Sequence, residues 1–259
     1  MEKTGRFFVA DLAKLAQSPR SDDGGGDGPC ADVPLPPDEA RHACRVLRLH
    51  AGAPVELFDG AGTVAAGRII TTGPRGATVR LERVETRDRV GPAMHVAFAV
   101  PKGKRLDWLL EKATELGAAS LQPLRFARSV AVCEELSGGK GRRWLGHCIV
   151  AAKQCGLDLL PEIRQPTGLT EFLEGLAGGT VLLLGEAGED APALNDVLTR
   201  MPQQCTSTVI LVGPEGGLSE AERATAVEAG FLPVRIGRTT LRVETAVVAL
   251  LAAVAAVSG

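Results

Sequence analysis

The chain of 259 residues contains no tyrosine, and aromatic residues make up only 3% of it. That scarcity argues against recognition built on stacking many unpaired bases. No Gly-x-Gly-x-x-Gly follows the first strand of either half, and no phosphate-loop Gly-x-x-x-x-Gly-Lys-Ser/Thr occurs anywhere, which disfavours dinucleotides and nucleoside triphosphates. The six cysteines (30, 44, 133, 148, 155, 205) form no Cys-x-x-Cys pair, and the four histidines add no zinc spacing, so no metal is expected. In a chain of this size structural disulfides are unexpected, pointing to a reducing, cytoplasmic compartment. The longest apolar run, Ala246 to Val257, is too short to cross a bilayer, and Phe7-Phe8-Val9-Ala10 is no signal-peptide core, so no membrane partner is expected. A formal charge of −2 excludes a histone-like polycation but not a local basic face.

Hydrophobic residues are 45% of the chain, enough for a sizeable core. Strand signals dominate the first part: Arg6 to Ala10, Val55 to Phe58, Thr63 to Ile70 and Ala77 to Val84, with Asp59-Gly60 as a hairpin turn. Pro36-Pro37-Asp38 opens a helix expected to run to Leu49, since proline suits a first helical turn and aspartate its positive end. Ser18 to Pro37, containing the glycine- and aspartate-rich stretch 22–28, reads as a surface loop too polar to pack. Several short strands with one helix predict a small β-barrel over residues 1–88. From 89 to 259 the rhythm becomes strand–helix repeats. Strands are expected at 94–100, 119–124, 159–163, 180–184, 208–212 and 232–236, with helices near 104–116, 140–155, 168–177, 192–200, 219–229 and 244–257. This predicts an α/β domain with a parallel sheet. Ser219 with Glu222 forms a capping-box signature and Gly230 a stop.

Residues 91–164 carry 11 basic and 7 acidic groups, net +4, whereas 165–259 carry 5 and 11, net −6. The basic residues Lys102, Lys104, Arg105, Arg125, Arg128, Lys140, Arg142 and Arg143 suit either a solvated face or a phosphate-binding one.

Ligands of open parallel sheets sit beyond the carboxyl ends of the strands. Three successive predicted strands stop at glycine there: Leu184-Gly185, Val212-Gly213 and Ile236-Gly237. One such glycine is ordinary turn punctuation. Three, one of them expanded to Gly213-Pro214-Glu215-Gly216-Gly217, indicate a rim built for a ligand. A glutamate and no lysine in that loop fits S-adenosylmethionine, with its sulfonium and amino groups, better than a triphosphate. In the last rim loop, Glu244 and Thr245 suit the start of the apolar helix that follows. Arg238 and Arg242 oppose its dipole, so they call for an anionic partner: Glu215, Glu244 or a nucleic-acid phosphate.

At these residues the sequence resembles the 16S ribosomal RNA (uracil-N3) methyltransferases of the SPOUT superfamily, the RsmE family. The likeness runs through Arg6-Phe7-Phe8-Val9, Leu57-Phe58-Asp59-Gly60, Pro101-Lys102-Gly103, Glu111 to Gly117, Ala151 to Gly156, Val212 to Gly217 and Leu241 to Ala246. The resemblance implies an N-terminal PUA-like barrel, a C-terminal trefoil knot holding S-adenosylmethionine, a homodimer, and ribosomal RNA of the small subunit as partner. On it, the cofactor set is Leu184, Gly185, Gly213, Pro214, Glu215, Gly216, Gly217, Ile236, Gly237, Leu241, Thr245 and Ala246. Arg242 is expected to stabilise the uracil anion or clamp a phosphate, and Glu244 to orient Arg242 or accept a proton. RNA contacts are expected at Arg6, Arg41, Arg45, Arg48 and Arg128. Where the family usually has Pro-Arg-Ile before the Leu-Arg pair, this chain has Arg238-Thr239-Thr240, and Leu157 stands where an arginine is common. Cys155 lacks a histidine partner motif and reads as a buried cysteine. Trp108 and Trp144 read as core or dimer anchors.

Overall fold

A computed structural model describes residues 4–17, 31–73, 76–131, 133–188, 190–200 and 206–258. The glycine-rich stretch 21–28, Cys30 and Cys205 lie outside them.

Two compact units are present: Met1–Arg89 together with Ala152–Leu159, and Val90–Ala151 together with Leu160–Gly259. In the first, strands β1 (Gly5–Phe8), β2 (Asp32–Pro34), β3 (Pro54–Phe58), β4 (Thr63–Gly73) and β5 (Gly76–Thr86) form one sheet of order β1-β3-β4-β5-β2. Only the β1–β3 pairing is parallel. The loop expected over 18–37 is corrected at Asp32–Pro34, a strand with Val33 buried. Alternation along the strands sends Phe7, Val33, Val55, Leu57, Val79 and Leu81 into one core, because strand side chains point to opposite faces with period two. The β3–β4 turn is Asp59-Gly60, as the sequence predicts: Asp59 Oδ1 accepts from the N–H of Ala61 (2.8 Å) and of Thr63 (3.0 Å).

The connecting helices are α1 (Leu12–Leu15), for which the sequence carried no signal, and α2 (Pro37–Arg41). Helix α2 starts on Pro37 as expected but does not continue to Leu49. It widens into a π-helical turn over His42–Val46 and ends before Arg48, whose φ is +53°. Ala40 and Ala43, three residues apart on one face, are both buried in the core.

Arg6 is committed inside this unit. Its side chain is only 9% exposed, with Nε 2.8 Å from Glu56 Oε1. One Nη donates to the Ala152 carbonyl and the other pairs with Asp158, and the guanidinium stacks 4.3 Å over the Phe58 ring. Lys153 Nζ donates to both carboxylate oxygens of Glu39 at 3.0 and 2.6 Å.

The second unit holds β6 (Ala93–Ala99), α3 (Lys104–Glu115), β7 (Ala118–Arg125), α4 (Gly139–Cys155) up to Ala151, β8 (Glu162–Ile163), β9 (Thr167–Gly168) and α5 (Leu169–Glu174). It continues with β10 (Val181–Gly185), α6 (Leu194–Leu198), β11 (Ser207–Val212), α7 (Glu220–Glu228), β12 (Leu232–Val234) and α8 (Val243–Ser258). All its ladders are parallel, in the order β12-β10-β11-β6-β7-β8 with β9 also on β7. The strand–helix alternation predicts that architecture, because parallel neighbours need crossovers and these cover both faces. Val96, Phe98 and Ile210 pack on one face with Leu109, Leu110, Val247 and Leu250. Ala97, Ala99 and Leu211 pack on the other with Leu169, Ala226 and Phe231.

Trp144 is 2% exposed and belongs to the core, whereas Trp108 is 41% exposed. Cys155 is exposed rather than buried: it occupies the last position of α4, on the side away from the packed face. The buried thiols are Cys133 and Cys148, and burial pushes the Cys148 thiol up to about 11, which keeps it protonated and inert. Among the described residues no helix is long and apolar enough to cross a membrane.

Candidate active site

The register of the second sheet brings three strand ends to one level. Gly185 is paired with Val212 on one side and with Val234 on the other, so β10, β11 and β12 all end at the same edge. The loops that leave them line a single cleft of about 520 Å³. Gly185, Gly213 and Gly237 all lie on its wall, with Pro214, Glu215, Gly217, Ile236, Leu241 and Ala246. Three other expected residues do not. Leu184 is fully buried beneath the rim in the core, Gly216 lies behind the turn against Arg128, and Thr245 points to solvent from α8. Strand β12 ends at Val234, two residues short of the expected Ile236, which leaves Ile236 and Gly237 in the loop and free to face the cleft.

Two glycines shape the rim. A Cβ on Gly213 would lie 2.1 Å from Leu218 Cδ1, so any side chain there drives Leu218, itself a wall residue, out of place. Gly217 has φ +70° and closes a turn by donating to the Pro214 carbonyl at 2.8 Å, a backbone state that side chains disfavour.

The sequence reading missed the loop after β10. Glu186, Ala187, Gly188, Asp190 and Ala191 line the cleft, and so does Arg223 from α7, which binds Glu186 through Nε at 2.5 Å and Nη2 at 3.1 Å. The second glycine in Gly185-Glu186-Ala187-Gly188 is the one signal that pointed there. Arg223 gave none, because an arginine on an exposed helix face is commonplace.

The Gly-Pro-Glu-Gly-Gly turn is tied down from outside. Arg105 Nη1 donates to Glu215 Oε1 at 2.6 Å, and Arg128 Nη1 donates to the carbonyls of Gly216 and Leu218 at 3.2 and 3.3 Å. Ser219 caps α7 as the sequence predicts, in a complete capping box. Glu222 accepts from the Ser219 N–H (2.8 Å), the Ser219 hydroxyl (2.9 Å) and the Ala127 N–H (2.7 Å). Burial opposes ionisation of this carboxyl, but those donors and the nearby Arg128 charge outweigh it and hold its pKa below the ordinary value of 4.5. A depressed folded-state pKa means that the stabilisation is present above the unfolded value and is lost as pH falls through the folded one. Glu222→Gln should therefore cost about 1 kcal/mol at neutral pH. The deficit relative to wild type should shrink as pH falls below 4.5, read as paired denaturation curves at neutral and acid pH.

Arg238 and Arg242 are exposed. Of their expected partners, Glu215 is taken by Arg105, and Glu244 is 6% exposed with its buried Oε2 lacking any partner among the described residues. Neither arginine makes a side-chain hydrogen bond or ion pair among those residues, which leaves an external anion as what both can bind. Neither Arg242 nor Glu244 lines the cleft. Leu241 and Val243 between and beside them do.

The expected RNA contacts divide. Arg6 is buried and spent, as described above. Arg41 and Arg45 line an open groove of about 640 Å³ between α2 and the β4–β5 hairpin, and Arg41 also pairs loosely with Asp38 at 3.2 Å. Arg48, turned away by its positive φ, does not line that groove. Arg128 is held to the glycine turn. Of the other basic residues noted in the sequence, Arg143 is bound to Asp107 at 2.7 Å and Arg125 to the Pro166 carbonyl at 3.0 Å.

A family profile described as an RNA methyltransferase domain matches residues 89–255. The chain belongs to this RNA methyltransferase family. An RNA methyltransferase PUA domain matches residues 35–82 as well, so this methyltransferase carries a PUA-like domain ahead of its α/β domain. A ribosomal RNA small subunit methyltransferase E from Synechocystis is 32% identical over 219 residues, covering 83% of this chain and 70% of that one. Its counterpart in Mycobacterium bovis is 32% identical over 223 residues, covering 84% and 83%. Among solved structures, a ribosomal RNA small subunit methyltransferase E from Neisseria gonorrhoeae bound to S-adenosyl methionine superposes with a TM-score of 0.80 at 27% identity, over 97% of this chain and 96% of that one. A protein from Legionella pneumophila in complex with the bound cofactor SAM gives 0.81 at 29% identity, over 98% of both chains.

Proposed function

We propose that this chain transfers a methyl group from S-adenosylmethionine to N3 of a uridine in the RNA of the small ribosomal subunit. The observation that carries the reading is the convergence of three glycine-containing turns, at neighbouring β-ends, on one cleft. The cleft fits such a donor. Gly213 lines it with bare backbone beside Leu218, its walls are apolar at Val212, Val234, Ile236 and Leu241, and its acids are Glu186, Asp190 and Glu215. The solved relatives with S-adenosylmethionine support the same assignment.

When bound, the donor supplies an electrophilic methyl group on a sulfonium. The wall residues hold it by backbone approach and apolar contact, and the turn fixes its orientation. Uracil N3 is protonated and weakly nucleophilic. Arg242, a free cation beside the cleft, stabilises the anion formed as that proton leaves, or fixes the adjoining phosphate. Glu244, buried at the start of α8 and off the cleft wall, serves in this reading to orient the Arg242 loop or to accept the proton that leaves N3.

In this reading residues 1–88 grip RNA, with Arg41 and Arg45 at phosphates, and 89–259 carry the chemistry in the cytoplasm. The trefoil knot is part of the proposal. It is supported by β12 lying outside β10 while the following segment, 236–243, returns along the cleft to α8. A homodimer is proposed too, supported by the exposed Trp108 and by exposed Thr245, Ala252 and Ala256 along the apolar α8. The test is to incubate the protein and S-adenosylmethionine with small subunits from a strain lacking this gene, then analyse nucleosides by mass spectrometry. N3-methyluridine should appear only when both are present. Methylation at another atom would overturn the acceptor assignment.

A further inference from the structure

The Gly213–Gly217 turn has three glycines in five residues, and its own backbone supplies one hydrogen bond, from Gly217 to Pro214. Glycine-rich chain loses the most freedom on being fixed, so such a turn holds one shape only if it is tied from elsewhere. The side-chain tie at its apex is Arg105, in the first turn of α3, on the Glu215 carboxylate at 2.6 Å. Both side chains are about one-third exposed (35% and 38%), and Glu215 lies on the partition between the large cleft and a much smaller recess lined by Val100, Lys102 and Ser129. An arginine in the opening turn of a helix is unfavourable to the dipole, so its place there is explained by the carboxylate it meets.

We infer that Arg105 is a positioning residue for the methyl donor: acting through Glu215, it holds the glycine turn in the shape that forms the cleft's floor. The alternative for Glu215, direct contact with a cation on the donor, makes the opposite prediction, because Arg105 would then be a competitor for the carboxylate. The inference rests on the donor proposed above.

The experiment is a double-mutant cycle read by calorimetric titration of S-adenosylmethionine into the full-length protein. Arg105→Gln and Glu215→Gln should each weaken binding about fivefold, in keeping with a half-exposed ion pair. The double variant should also lose only about fivefold, since either change alone already breaks the pair. Arg105→Lys, which keeps the charge, should recover most of the affinity. Wild-type or tighter binding by Arg105→Gln, or a double variant that loses about 25-fold, would show that Arg105 does not act through Glu215. Hydrogen exchange at the Gly216 and Gly217 amides of the ligand-free protein separates this inference from the donor assignment. Exchange should quicken in both single variants, and unchanged exchange overturns the inference. If wild-type protein fails to bind S-adenosylmethionine while the variants still loosen the turn, the donor assignment falls and the positioning role stands.

Discussion

Gly213→Val should abolish measurable binding of S-adenosylmethionine and leave the chain folded. The first added carbon would lie 2.1 Å from Leu218 Cδ1, far inside van der Waals contact, so Leu218 must swing away. Leu218 is part of the cleft wall, as are Pro214 and Val212 on either side of the glycine, so the displaced side chain and the valine methyls take up donor volume. Overpacking of this kind costs about 1–3 kcal/mol, and since Leu218 already lines the cleft, the expectation is that it swings into the donor's space. The loss in affinity should be on the order of 100-fold or more, about 2.7 kcal/mol. Gly213 has an ordinary negative-φ backbone, in contrast to Gly217, so valine imposes no backbone strain and the thermal midpoint should shift little. Calorimetry and a melting curve on the same sample check both halves of the expectation.

The second large effect is expected on turnover rather than on binding. Arg242 is exposed, makes no ion pair among the described residues and stays off the cleft wall, while its neighbours Leu241 and Val243 line it. In the proposed mechanism a cation in that position stabilises the developing negative charge on the acceptor rather than holding the donor. Removing one such group typically costs 10²–10³ in rate. Arg242→Ala should therefore lower kcat on small subunits by about 100-fold or more, with the dissociation constant for S-adenosylmethionine unchanged within about twofold. Wild-type turnover in this variant would remove Arg242 from the mechanism. Arg242→Lys should fall between, since a point charge replaces a planar fork.

The parts of this site that were legible in sequence are those that local physics writes down. Glycine after a buried apolar run marks where a strand must stop and a ligand can approach, and Gly185 and Gly213 do both. The Ser219–Glu222 box and the Pro37 start were equally local. What escaped was set by pairing over long sequence distances. Arg6 in Gly5-Arg6-Phe7-Phe8 alternates outward in a strand and so reads as a surface cation. Its partners, Asp158 and the Ala152 carbonyl, come from a segment about 150 residues later that packs with the first unit. Glu215 had a candidate partner in Arg238 or Arg242 on the neighbouring rim, but α3 delivers Arg105 instead. Strand β9, two residues long, is too short to carry any periodicity, and β8 is only the last two residues of the expected strand 159–163. The π-helical turn after α2 breaks the 3.6-residue spacing that a helix running to Leu49 would have given Arg41, Arg45 and Arg48.

The proposed seat of the methyl donor is the glycine-rimmed cleft. Calorimetric titration of the purified, ligand-free chain with S-adenosylmethionine, ATP and NAD tests that most directly. One donor per chain should bind with saturable heat, S-adenosylhomocysteine should compete, and neither nucleotide should bind at the same concentrations. No heat with S-adenosylmethionine, or equal affinity for ATP, would contradict it.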